Sequence, residues 1–111
     1  MTKKTSTKEK KITSIDYEEW LIDSLRKNPK KAELYLQTAL EEYQKDGCNK
    51  ALLMAMRHVA EAHGGIACMA KKTGLNRESL YKTLSARGNP KLQTFGILLN
   101  ALGFRLSIHA A

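Results

Sequence analysis

Apolar residues recur at helical spacing through most of the chain, and the polar residues between them mark where each helix starts and stops. From Asp16 to Asn28, Tyr17, Trp20, Leu21 and Leu25 fall on one side, with Ile22 on the flank. Asp16 is placed to cap this segment. Glu18 and Glu19 suit the positive end of its dipole, and Arg26 and Lys27 the negative end. Asn28-Pro29 restarts the chain, with Asn28 as N-cap and Pro29 at the first helical position. The second helix is predicted to reach about Lys45, with Leu36, Ala39, Leu40 and Tyr43 as its stripe and Gly47 as its stop. A third covers about Asn49 to His63, with Leu52, Ala55, Met56, Val59 and Ala62 inward and Gly64-Gly65 at its end.

The stretch IACMAKKTGLNRESLYKTL from Ile66 to Leu84 has the pattern of a helix-turn-helix. Two short helices crossing closely leave no room for a large side chain at Ala70. Gly74 supplies the positive φ that turns the chain. Leu75 plugs the gap between the helices, and Asn76 is a good N-cap for the second one. Leu80 and Leu84 define that second helix's buried side. The motif spans 66–85 and nominates duplex DNA as ligand.

Ser85 to Pro90 reads as a turn-rich loop. A last helix is expected from about Leu92 to Leu102, with Leu92, Phe95, Leu99 and Leu102 on one face. Gly96 inside it costs roughly 1 kcal/mol against Ala, which predicts close packing at that point. After Gly103, Phe104, Leu106 and Ile108 alternate with polar residues, a strand signal. A lone strand needs a partner for its backbone groups. That partner is the same strand of a second subunit, Lys11 to Ile15 of this chain, or a strand of another protein. The two-fold habit of helix-turn-helix proteins points to the first, making this a dimerisation strand.

The fold class expected is therefore all-α: five to six helices in a single domain over 15–111, closed by a short C-terminal β-strand. Residues 1–14, rich in Lys and Thr and without periodicity, read as a flexible basic tail. The tail is solvated or lies along DNA as a basic arm, and the first is the commoner behaviour.

Charge sharpens the picture because it is uneven. Residues 1–11 carry five Lys and one Glu, a net +4. Residues 12–47 carry five basic and eight acidic residues, a net −3. Residues 48–111 carry nine basic and two acidic residues, a net +7. The positive charge collects in the half that holds the helix-turn-helix, as a phosphate backbone would select.

Other chemistries have less support. No apolar run approaches membrane-spanning length. Cys48 and Cys68 stand apart, without zinc-ligand spacing, and read as reduced thiols of a cytoplasmic protein. His58, His63 and His109 read as surface or capping residues, and Met54, Met56 and Met69 as core. Nothing in the spacing suggests an enzyme, a cofactor or a metal.

The runs YLQTALEEY (35–43), ALLMAMRHVAEAHGGI (51–66) and TGLNRESLYKTLSARGNPKLQTFGILLNALGFRL (73–106) resemble the HigA-type addiction-module antidote proteins, antitoxins with a Cro/repressor-like helix-turn-helix. The similarity runs from about Tyr17 to Ile108. It implies a small antitoxin that silences a RelE-like toxin, an mRNA-cutting ribonuclease, and represses its own operon. Where many repressors of this superfamily open the first motif helix with Gln or Thr to hold a phosphate, this chain has Ile66 or Ala67. A clamp at this position would come from backbone N–H groups or lysines.

The residues predicted to meet base edges are Asn76, Arg77, Glu78, Ser79, Tyr81 and Lys82, with Arg77 the first choice for a bidentate guanine contact. Asn76 and Glu78 have competing structural roles, as cap and as dipole partner. Lys50, Lys71, Lys72, Arg87 and Lys91 are candidates for phosphate contacts. The implied ligand is a palindromic operator with half-sites about 34–36 Å apart, bound by a homodimer. The acidic segment 12–47 is the natural surface for a basic toxin. The alternatives are a stand-alone regulator without a toxin, and a protein-interaction module that keeps the fold without binding DNA.

Overall fold

A computed structural model describes residues 14–111. All of the expected tail but Ser14 falls outside the described residues, and so does most of the Lys11–Ile15 segment. Six helices follow one another: α1 (Ser14–Lys27), α2 (Pro29–Asp46), α3 (Lys50–Ala62), α4 (Ile66–Thr73), α5 (Arg77–Thr83) and α6 (Leu92–Ala101). α1, α2 and α3 pack against one another pairwise. α4 touches α3, α5 and α6, and so joins the two halves of the molecule.

The boundaries follow local chemistry. Asn28 is the sole residue between α1 and α2; its Oδ1 accepts from the Lys31 N–H at 3.2 Å, and Pro29 opens α2. α1 begins at Ser14, ahead of the expected cap, so Asp16 lies within its first turn. Gly47, at φ +72°, stops α2 by donating to the Tyr43 carbonyl at 2.7 Å. His63 ends α3, its Nδ1 lying 2.9 Å from the Val59 carbonyl.

The core runs through all six helices, from Leu21, Leu25, Leu36, Leu53, Met56 and Val59 to Met69, Leu80, Leu84, Leu98 and Leu102. α3 is its axis. Beyond the expected stripe it also buries Leu53, His58 and Ala60, because α1 and α2 cover one side while α4 covers another. Met54 is the exception among the inward methionines and lies exposed.

Three further expectations need correction. Of the expected α6 face, Leu99 and the following Leu102 are buried and Phe95 packs against the core, joined by Leu98, but Leu92 is 76% exposed. The first residue of the helix lies beyond the reach of α4, through which α6 meets the core. Nor is there close packing at Gly96: nothing lies within 4 Å of a Cβ built there. The predicted dimerisation strand is also absent. Phe104 is half-buried and its N–H donates to the Leu99 carbonyl at 2.9 Å, but Leu106 and Ile108 are exposed and no strand occurs among the described residues. The alternation is real, but a single chain with no second strand offers it no ladder.

Candidate nucleic-acid interface

α4 and α5 form two short helices around a tight turn. Gly74, at φ +75°, donates to the Ala70 carbonyl at 2.9 Å and ends α4. The Thr73 hydroxyl donates to the Met69 carbonyl at 2.8 Å and receives the Leu75 N–H at 3.2 Å, holding the turn from its other side. Asn76 is extended, and its Oδ1 accepts from the Ser79 N–H at 3.0 Å. Ala70 and Leu75 are half-buried against the core, and Leu80 and Leu84 are fully buried.

With Leu80 and the following Leu84 inward and Thr83 half-buried, the other residues of α5 face out. Arg77, Glu78, Ser79, Tyr81 and Lys82 are all exposed, as is Asn76. The Arg77 guanidinium lies 6.0 Å from the centre of the Tyr81 ring, one turn later on the same face. Arg77 and Lys71 border one open groove with Ala67, Cys68 and Ala70, of about 580 Å³. Tyr81 also borders a second cavity, of about 320 Å³, with Glu18, Arg57, His58 and Glu61.

The other cations expected at phosphates are all exposed. Lys72 is exposed at the end of α4. Arg87 and Lys91 are exposed in the segment between α5 and α6, and Lys50 is exposed at the start of α3. Asn49 Nδ2 donates to the Gly88 carbonyl at 3.3 Å, bringing the start of α3 to that segment. Gly88 itself is packed so tightly that a Cβ there would stand 1.8 Å from the Thr83 carbonyl oxygen. α4 has no side-chain N-cap; Gly65 precedes it, leaving its first N–H groups uncapped by any side chain.

Three tertiary contacts were not read from the sequence, and one of them reaches this surface. Arg57 of α3 donates to the Leu84 carbonyl at the end of α5. Its one legible signal is a cation directly after the apolar run Ala51–Met56. His58 is 5% exposed, neither a surface nor a capping residue, and sits between two partners. The Tyr35 hydroxyl lies 2.8 Å from its Nδ1 and Glu18 Oε2 lies 2.9 Å from its Nε2. A neutral imidazole protonated on Nε2 satisfies both, accepting from Tyr35 and donating to Glu18. Burial pushes the Tyr35 phenol above its ordinary value of 10.0; Tyr17 and Glu18 push the same way, and Arg57 opposes them. Glu18 and His58 are forty residues apart, so no local spacing reveals the pair.

Among the described residues, no group of three or more His, Cys, Asp or Glu could hold a metal ion, and no helix is long and apolar enough to cross a membrane. Both cysteines are free.

Comparison with known proteins adds a family. Residues 12–110 match the family described as "Probable addiction module antidote protein". An uncharacterized protein of Haemophilus influenzae (strain Rd) is 30% identical over 73 residues, covering 66% of this chain and 74% of that relative. No solved structure matches the chain.

Proposed function

The chain belongs to the family described as "Probable addiction module antidote protein", and from that premise we propose that it is an antitoxin that also represses transcription by sequence-specific DNA binding. Its DNA-reading element is a HigA-like, Cro/repressor-type helix-turn-helix formed by α4 and α5. The observation that carries this reading is the outward side of α5. There Arg77, Tyr81 and Lys82 stand exposed on a helix anchored by two fully buried leucines, with Lys71 and Lys72 beside it.

In this reading α5 enters the major groove. Arg77 and Lys82 meet base edges, with Asn76, Glu78, Ser79 and Tyr81 at the margins. The cations at Lys50, Lys71, Lys72, Arg87 and Lys91 and the uncapped start of α4 take the phosphates. Two copies bind one two-fold operator.

Fluorescence anisotropy with a duplex from the chain's own upstream region, against a scrambled duplex, tests this. The expected preference is about 10³-fold or more at physiological salt. Equal affinity for the two duplexes would overturn sequence-specific repression, and no binding to either would favour a protein-interaction module.

The antitoxin half of the proposal rests on the other end of the molecule. α1 exposes Tyr17 (55%) and Trp20 (57%), their ring centres 5.7 Å apart, within the acidic segment 12–47. Exposed aromatics with carboxylates around them suit a basic protein such as a RelE-like toxin. Trp20→Ala should abolish co-purification with the product of an adjacent reading frame. Retained capture would exclude this surface, and the lack of any such frame would favour a stand-alone regulator.

A further inference from the structure

Three of the described helices are entered through an asparagine: α2 at Asn28, α3 at Asn49 and α5 at Asn76. Asn28 and Asn76 are extended and cap their helices, each Oδ1 accepting the N–H of the third residue on, at 3.2 and 3.0 Å. Asn49 behaves differently. Its carbonyl accepts from the Leu53 N–H at 2.9 Å, which places it at the cap position of α3. Its backbone, however, is at φ −91° and ψ 3°, and its side chain makes no capping bond. The first turn of α3 holds no acid to compensate, and Lys50 opposes the helix dipole there. A good capping side chain is withheld from its own helix.

That side chain reaches the Gly88 carbonyl instead, thirty-nine residues on, at 3.3 Å. A carbonyl only accepts, so the Nδ2 end of the amide makes this bond. Gly88 is held on two other sides. Its N–H donates to the Ser85 carbonyl at 2.9 Å, and the Thr83 carbonyl leaves no room for a Cβ. The link between α5 and α6, residues 84–91, contains no helix, and its two exposed cations, Arg87 and Lys91, flank this glycine.

We propose that Asn49 is a positioning residue for phosphate binding: it forgoes capping α3 to hold Gly88, and through Gly88 it sets Arg87 and Lys91 where a DNA backbone meets them. The inference rests on the DNA-binding reading above and adds to it a residue that touches no DNA. The gain is pre-organisation. A free link would lose backbone freedom each time its cations engaged phosphates, and that loss would subtract from affinity. A link fixed in the unbound protein presents both charges with that entropy already removed.

Asn49→Ala and Asn49→Ser separate a tether from a cap. Both remove the donor to Gly88, serine being too short to reach it, while serine keeps the ability to cap α3. Both variants should bind the duplex from the chain's own upstream region about tenfold more weakly than wild type, with a salt slope shallower by about 1 although no charge has been removed. Asn49→Ser should melt no lower than Asn49→Ala and yet bind no better. In an Arg87→Ala, Lys91→Ala background, Asn49→Ser should have no further effect on binding, because the side chains it positions are gone.

Wild-type affinity in Asn49→Ser, or recovery by serine of what alanine loses, would make Asn49 an ordinary cap and overturn the proposal. An equal loss in the doubly substituted background would place its action elsewhere and overturn it as well. Amide hydrogen exchange reads the tether without DNA. The N–H groups of Arg87, Gly88 and Asn89 should exchange faster in Asn49→Ser than in wild type, and equal rates would sink the tether. A wild-type chain that shows this exchange pattern but binds no duplex would sink the DNA-binding reading, and the phosphate role with it, while sparing the tether.

Discussion

The hydroxyl of Tyr35 on α2 lies 2.8 Å from Nδ1 of His58 on α3, and the far side of the same imidazole reaches Glu18 on α1. One buried ring thus links the three helices of the N-terminal half. Tyr35→Phe should cost about 1–3 kcal/mol, since it leaves a buried ring nitrogen without a partner. Urea or thermal denaturation of the purified variant measures this.

The same contact has a pH signature. The folded state holds the Tyr35 proton more tightly than the unfolded state, so its contribution is fully present below the ordinary phenol value of 10.0. It is lost as pH rises through the higher folded value. The stability gap between wild type and Tyr35→Phe should therefore be constant up to about pH 9 and shrink above it. A gap that widens with rising pH would mean that folding makes the phenol more acidic, the reverse of what burial imposes.

Arg57 donates to the Leu84 carbonyl and so ties the end of α5 to α3. Arg57→Met keeps the aliphatic stem and removes that donor. It should lower stability by about 1.5–3 kcal/mol and weaken binding to all duplexes without changing the preferred sequence. A shifted preference would place Arg57 on the DNA itself.

Arg77 and Lys72 should separate by what they read. Arg77→Ala should cost about 1–3 kcal/mol and relax the preference at one base pair per half-site. Lys72→Ala should weaken all sequences alike and reduce the salt slope by about 1. Anisotropy titrations over a salt series, on matched and single-substituted operators, distinguish the two.

Asn76 caps α5 through its Oδ1, so capping alone can account for it. Asn76→Ala should then destabilise by about 1 kcal/mol and Asn76→Ser should restore most of that loss. If Asn76→Ser folds normally but loses operator preference, the amide also reads a base.

Gly88 differs from Gly96. A Cβ at Gly88 would collide with the main chain of Thr83, so Gly88→Ala should destabilise by about 1–3 kcal/mol and disturb the segment that carries Arg87 and Lys91. A melting temperature equal to wild type would show that the segment yields freely.

The six helices and most of their ends, the start of α1 excepted, were legible in the sequence, because caps, glycines and apolar periodicity act within a few residues of one another. Asn28-Pro29, Gly47, Gly74 and Asn76 each satisfy or release backbone groups of their own helix, and no distant part of the chain needs to be known. The outward side of α5 was legible for the same reason, once Leu80 and Leu84 marked its inside. What depends on which helices meet was not legible. Periodicity names an apolar side, but only packing decides which apolar residues are covered, and so Leu92 and Met54 remain in solvent. The Tyr35–His58–Glu18 chain and the Arg57 tether join positions that only tertiary structure brings together. The strand at Phe104–Ile108 fails on the same principle: alternation supplies a face, but a ladder requires a second backbone, which the pattern of one segment cannot supply.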